Sequence, residues 1–287
     1  MTERVLPPIP YFGSKVNLSP QIASYLPPHT HYVEAFAGGL SLLFAKRPSS
    51  VETVNDLDGN VVNFWRVLRD RPQELIQACR LTPYSRTEFY ESWEPIDALS
   101  DVERARRFFV RLAQGRMARP SGRRGTWRHP MNTDRSHSGE MTEFTNRMYA
   151  AAERLCNVYV EHKPALEVIQ TYGRHDDILI YMDPPYVHGT RTSSTKDYYA
   201  HEMSDADHTE LAEAAHKAQS VIVLSGYPGP LYSDLYKDWW TVKLPYWTVQ
   251  GNGTRQPRME MLWLNRQPAG QQTLFPIDEE DDTQWTE

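Results

Sequence analysis

The sequence predicts an α/β fold: a mostly parallel sheet interrupted by a helical insertion. Three observations predict it. Short apolar runs alternate with helical patterns along most of the chain, the mark of strand–helix units. One run, Ile178-Leu179-Ile180-Tyr181-Met182, is continuous, bounded by polar residues and closed by Asp183-Pro184-Pro185-Tyr186. It reads as a buried strand that ends there, because neither proline has an N–H for the ladder. Between Leu81 and Leu155 the strand signal gives way to arginine-rich helical patterns.

The 287 residues are 40% hydrophobic and 24% charged, an ordinary globular composition that fits one large domain or one domain with an insertion. Cys79 and Cys156 share no spacing that suggests zinc or a disulfide framework. Both read as small core residues, no metal site is expected, and a reducing cytoplasm fits. No signal-peptide pattern opens the sequence, and the longest near-apolar run, Ala35 to Ala45, is too short to span a membrane. The net charge of −6 is concentrated in the tail, where Asp278 to Glu287 holds six acids and no base. Arg104 to Arg135 holds ten arginines against one acid, an electrostatic footprint for a polyanion. Arginine's planar fork suits phosphate and guanine contacts.

In chain order, Pro7-Pro8-Ile9-Pro10 is extended. Tyr11-Phe12-Gly13-Ser14-Lys15 follows, an aromatic and a lysine bracketing a turn, able to hold a flat ring and an anionic group; a helix through Ile22 and Leu26 comes next. His31 to Phe36 reads as the first strand. Ala37-Gly38-Gly39 turns it into a helix, Leu40 to Lys46, and lets a ligand approach the backbone. The second strand, Val51 to Asp56, ends on an acid placed to accept from ribose hydroxyls. Gly turn and strand-end acid together imply an adenosine-containing cofactor. Asp58 reads as the cap of a helix through Arg69, and another helix spans Pro72 to Arg80.

Tyr84 to Trp93 is aromatic and mixed. Val102 to Leu112 is helical, with Phe108, Phe109 and Leu112 spaced for a core face. Gln114 to Gly139 loses periodicity, a basic loop suited to phosphates, and Glu140 to Leu155 returns to helix. Asn157 to Glu161, the run ending at Asp183, and Ser220 to Leu224 read as strands. Pro164 to Tyr172 and Met203 to Ala218 read as the helices between them, and Trp239 to Tyr246 with Met259 to Leu264 as an antiparallel closing pair. The division expected is residues 1–80 and 156–268 as a catalytic domain, 81–155 as an inserted helical module and 269–287 as an acidic flexible tail.

The order of these pieces resembles the Dam-type family of DNA adenine-N6 methyltransferases. The resemblance runs from about residue 7 to 266: the aromatic-Gly-Lys loop, the turn Glu34-x-Phe36-x-Gly38, Asn55-Asp56, the insertion, Asp183-Pro184-Pro185-Tyr186, Ser225-Gly226-Tyr227 and Arg258 to Asn265. It implies a Rossmann-like sheet dependent on S-adenosylmethionine (AdoMet) with a helical DNA-recognition insertion. By that resemblance Tyr11, Lys15, Glu34, Phe36, Ala37, Gly38, Asp56 and Asp183 would line the cofactor site. Asp183, Pro184, Pro185 and Tyr186 would form the catalytic motif around a flipped adenine in double-stranded DNA. The chain departs from the family where Ala35 replaces a frequent proline, Leu40 the last glycine of the turn, and Pro164 an acid that some members carry. DNA contacts are expected from Arg116, Arg119, Arg123, Arg124 and Arg128. Cytosine N4 is the alternative target, and a non-catalytic DNA-binding protein with a relict pocket the alternative of another class. In the tail, Gln271-Gln272-Thr273-Leu274-Phe275 resembles the peptide that docks on the bacterial sliding clamp, with Gln271, Leu274 and Phe275 as anchors. The expected setting is cytoplasmic and nucleoid-associated.

Overall fold

The structure, a computed structural model, describes residues 5–116, 125–129, 136–187, 202–249 and 255–269. Helix α1 (Ser19–Ser24) precedes β1 (His31–Glu34), α2 (Ser41–Ala45) and β2 (Val51–Asn55). Helices α3 (Gly59–Asp70), α4 (Pro72–Arg80), α5 (Arg86–Glu91), α6 (Asp101–Gln114) and α7 (His137–Leu155) follow, with no strand between them among the described residues. Strand and helix then alternate through β3 (Val158–Glu161), α8 (Ala165–Tyr172), β4 (Ile178–Met182), α9 (Asp205–Lys217), β5 (Val221–Gly226) and α10 (Pro230–Leu235). The hairpin β6 (Trp240–Val249) and β7 (Arg255–Leu264) closes the sheet.

The strand order is β3-β2-β1-β4-β5-β7-β6. All pairs from β3 to β5 are parallel, and β7 lies antiparallel between β5 and β6. The order reverses between β1 and β4, so their carboxyl ends flank a crevice where such sheets bind ligands. Side-chain alternation divides β4 between two cores. Leu179 and Tyr181 face one with α1 to α4, α6 and α7, whereas Ile178, Ile180 and Met182 face the other with α8, α9 and α10. Burial on both faces is why the strand reads as one unbroken apolar run.

Local chemistry sets the helix ends. Asp58 caps α3 by accepting from the Asn60 N–H at 2.8 Å, and Ser204 and Asp207 form a reciprocal capping box on α9. Two short helices, α5 and α10, lack the length for a periodic signal, and sequence reading left both unassigned. Cys79 is buried as expected, but Cys156 is exposed: it follows the last turn of α7 and faces away from the packed side.

The helical segment is anchored to the sheet by a buried carboxylate. Glu52 on β2 meets Lys46 at 2.6 Å and the Arg154 guanidinium of α7. Arg154 also donates to the Leu43 carbonyl at 3.1 Å. Burial pushes the Glu52 carboxyl up, but Arg154 and Lys46 outweigh it and hold it below the usual range. Arg154→Ala is expected to lower unfolding free energy by about 3 kcal/mol, because it strips one partner from a buried charge. A urea midpoint unchanged from wild type would contradict this.

Candidate active site

The crevice holds a cavity of about 430 Å³, within the range of small-ligand sites. Its wall brings together Tyr11 and Lys15, the β1 end and turn from Glu34 through Leu40, the β2 end at Asp56, and Asp183 with Pro185 after β4. Segments far apart in sequence therefore converge on one space.

The turn is tightly held. Gly38 has φ +43°, and an added Cβ would lie 2.9 Å from Cε1 of Tyr11. Only glycine fits there. Its N–H donates to Asp56 at 2.9 Å, and its carbonyl accepts from Trp65 Nε1 at 2.9 Å. Leu40 also has a left-handed backbone, φ 53°. Its burial in the core retains a leucine in a conformation that costs about 1–2 kcal/mol.

Asp56 accepts the Gly38 N–H on one oxygen and the Asp58 N–H, at 2.9 Å, on the other. A carboxylate oxygen can accept more than one bond, so this geometry leaves capacity for ligand hydroxyls. Asp58, expected only as a cap, also lines the cavity, and its buried Oδ2 has no hydrogen-bond partner among the described residues. A buried orphan acceptor on a cavity wall fits a ligand that brings donors, as the ribose and amino groups of an adenosine-containing cofactor do. Met203, Asp207, Glu210 and Leu211 line the cavity as well. Their ordinary helical pattern carries no signal of that role.

Lys15 reaches the cavity but is not set for a ligand anion. Its ammonium is buried in an ion pair with Asp183, with Glu260 at 3.5 Å and the Tyr186 hydroxyl at 3.4 Å. Burial alone lowers the Lys15 pKa, but Asp183 and then Glu260 more than reverse this and hold it well above the usual lysine range. Burial raises the Asp183 carboxyl, and Lys15 opposes that rise. Tyr186 stacks on Tyr227 with ring centroids 4.2 Å apart and planes 13° from parallel. No base fits between them, so a flat ring can stack only on the other face of Tyr186 unless Tyr227 swings away. Tyr227 in turn bonds Tyr246 on β6, hydroxyl to hydroxyl, at 2.9 Å.

The arginine block is partly consumed within the fold. Arg106 pairs with Glu103 and Glu88, Arg107 with Glu103, and Arg111 donates to the Ser92 carbonyl and lies over the Trp93 ring. Arg128 is bound to Glu140 at 2.6 Å. Arg116 is exposed next to the antiparallel pairing of Gly115 with Trp127. Arg119, Arg123 and Arg124, like Gln271, Leu274 and Phe275, lie outside the described residues.

Sheet order, switch-point cavity, glycine turn and strand-end acid define a nucleotide-cofactor-binding α/β protein. The family model of D12 class N6 adenine-specific DNA methyltransferases matches residues 11–248, and the chain belongs to that family. Its donor is S-adenosylmethionine, its substrate DNA, and its sheet the Rossmann-like methyltransferase sheet. The type II methyltransferase M1.LlaDCHI of Lactococcus lactis subsp. cremoris is 26% identical over 247 residues, covering 79% of this chain and 82% of its own. Among solved structures, a SAM-dependent methyltransferase from Agrobacterium tumefaciens aligns with TM-score 0.40 and 9% identity over 88% of this chain and 61% of that one. A precorrin 8W decarboxylase from Methanobacterium thermoautotrophicum aligns with TM-score 0.35 and 9% identity over 90% of this chain and 94% of that one. Among the described residues no helix is long and apolar enough to cross a membrane.

Glu34 gives the site a measurable signature. It is buried and accepts from the Tyr32 hydroxyl at 3.0 Å. Burial pushes its pKa from an ordinary 4.5 up to about 8. The folded chain therefore keeps a proton that the unfolded chain releases, and stability falls as pH rises between 4.5 and 8. Glu34→Gln mimics the protonated acid and is expected to flatten that decline, with Tm at pH 8 about 4 °C above wild type. Parallel Tm-against-pH curves for the two proteins would contradict it.

Proposed function

We propose that Asp183, Pro184 and Tyr186 hold a flipped adenine at the mouth of the cavity, and that the wall from Tyr11 to Asp56 holds the cofactor. The observation that carries this is the shared wall: Asp183 lines the same cavity as Gly38, Asp56 and the orphan oxygen of Asp58. Bound there, S-adenosylmethionine supplies the methyl group. The exocyclic amine of adenine is a poor nucleophile, because its lone pair is delocalised into the ring. Hydrogen bonds from that NH2 to the Asp183 carboxylate and the Pro184 carbonyl favour a pyramidal nitrogen and orient its lone pair. Tyr186 supports the ring by stacking. As N6 takes up the methyl group it gains positive charge, which Asp183 stabilises, and it then sheds one proton, which the same carboxylate accepts. The upward push on Asp183 from burial favours that acceptance.

An adenine inside a duplex cannot present its amine to a carboxylate set in a cavity wall, so the base leaves the stack. In this reading residues 1–80 and 156–268 do the chemistry, and 81–155 carry the DNA contacts, among them the exposed Arg116. The clamp-like peptide at Gln271 to Phe275 extends the reading to a docked, nucleoid-associated enzyme. A tail peptide that fails to bind a bacterial clamp removes that extension alone.

Asp183→Ala is expected to abolish methyl transfer to unmethylated DNA while calorimetry still detects cofactor binding. Turnover by the variant within tenfold of wild type, taken as about 1.4 kcal/mol of barrier, would overturn the assignment.

A further inference from the structure

Glu260 is an acid inside the apolar stretch Met259-Glu260-Met261 of β7, and only 1% of it is exposed. Its Oε1 accepts from the Ser225 hydroxyl at 2.8 Å and lies 3.5 Å from Lys15 Nζ. Its Oε2 is buried with no partner among the described residues. Such a placement is costly, because a desolvated carboxylate with one unsatisfied oxygen stabilises nothing that an apolar side chain would not. Methionine, present on both sides, has the volume to fill the position.

The position makes sense as charge balance. One ammonium, Lys15, is shared by two acids, Asp183 and Glu260. Burial raises the Glu260 carboxyl and Lys15 opposes that rise; with Glu260 ionised, the three groups sum to one negative charge. Without it Lys15 and Asp183 cancel, and an amine bound to Asp183 meets a neutral pair. A buried site screens poorly, so this difference is felt at full strength where N6 turns positive.

We propose that Glu260 is a positioning residue for the transfer: it neutralises Lys15, so that Asp183 keeps an uncompensated negative charge for the target amine. The proposal rests on the reading of Asp183 given above. Glu260 touches neither cofactor nor base in this scheme and acts through Lys15. Sequence alone carries one signal of it, a lone acid between two methionines in a closing strand.

The test is a double-mutant cycle on the full chain with Glu260→Gln, Lys15→Met and the pair, plus Glu260→Met as a second probe of the position. Each protein is measured for Tm, for S-adenosylmethionine affinity by calorimetry, and for single-turnover transfer to unmethylated genomic DNA. Glu260→Gln is expected to slow transfer by roughly 10- to 100-fold with cofactor affinity retained. Glu260→Met is expected to show the same loss of rate with Tm equal to wild type or higher, since it removes a buried orphan oxygen. In the Lys15→Met background, adding Glu260→Gln is expected to leave the rate unchanged or raise it. A full rate in Glu260→Gln, or the same fold loss in both backgrounds, would overturn the proposal. Wild-type protein that binds cofactor but transfers no methyl group to DNA would instead overturn the reading on which it rests.

Discussion

The site depends on the ion pair between buried Lys15 and half-buried Asp183. Removing both charges from water costs several kcal/mol per ion, and only close approach and further partners offset that cost. The pair ties the N-terminal loop to the end of β4, two segments 168 residues apart in the chain. Tyr11, in the same loop as Lys15, lies against the Gly38 turn on the cavity wall. In the proposed mechanism the ion pair also sets a charge problem, because the carboxylate that receives the amine already faces a cation. Glu260, 3.5 Å from Lys15, is the group proposed to offset that cation.

The other acids of the crevice are differentiated by their surroundings. Glu34 sits among apolar groups with one hydroxyl donor and keeps its proton near neutral pH. Asp56 receives two backbone N–H groups and serves the turn and the ligand wall together. Asp183 has an ammonium beside it, and Asp58 an unsatisfied oxygen. These four carboxyls share one cavity wall, yet burial, hydrogen bonds and neighbouring charge differ at each.

Much of this was legible in the residues. The run before Asp183 announced a doubly buried strand, and the β6–β7 pair followed from two late apolar stretches. The glycine turn, the acid at the end of β2, and Asp183 with Pro185 of the Asp-Pro-Pro-Tyr stretch all line the cavity. What was not legible depended on contacts distant in sequence. Lys15 suggested a ligand anion, because a lysine after a glycine turn gives no sign that a carboxylate 168 residues away will take it. The arginines of α6 looked available as a basic surface, but Glu88, Glu103 and the Ser92 carbonyl use several of them. Tyr227 gave no hint that it would cover one face of Tyr186. Helices as short as α5 and α10 are fixed by tertiary packing, which periodicity does not record.

The central claim is that this cavity and its Asp183 corner transfer a methyl group to an exocyclic adenine nitrogen. The most direct measurement is to incubate the protein with labelled S-adenosylmethionine and unmethylated genomic DNA, digest the DNA and separate the nucleosides. The account predicts label in N6-methyladenine. Label in N4-methylcytosine, or bound cofactor with no labelled nucleoside, would contradict it.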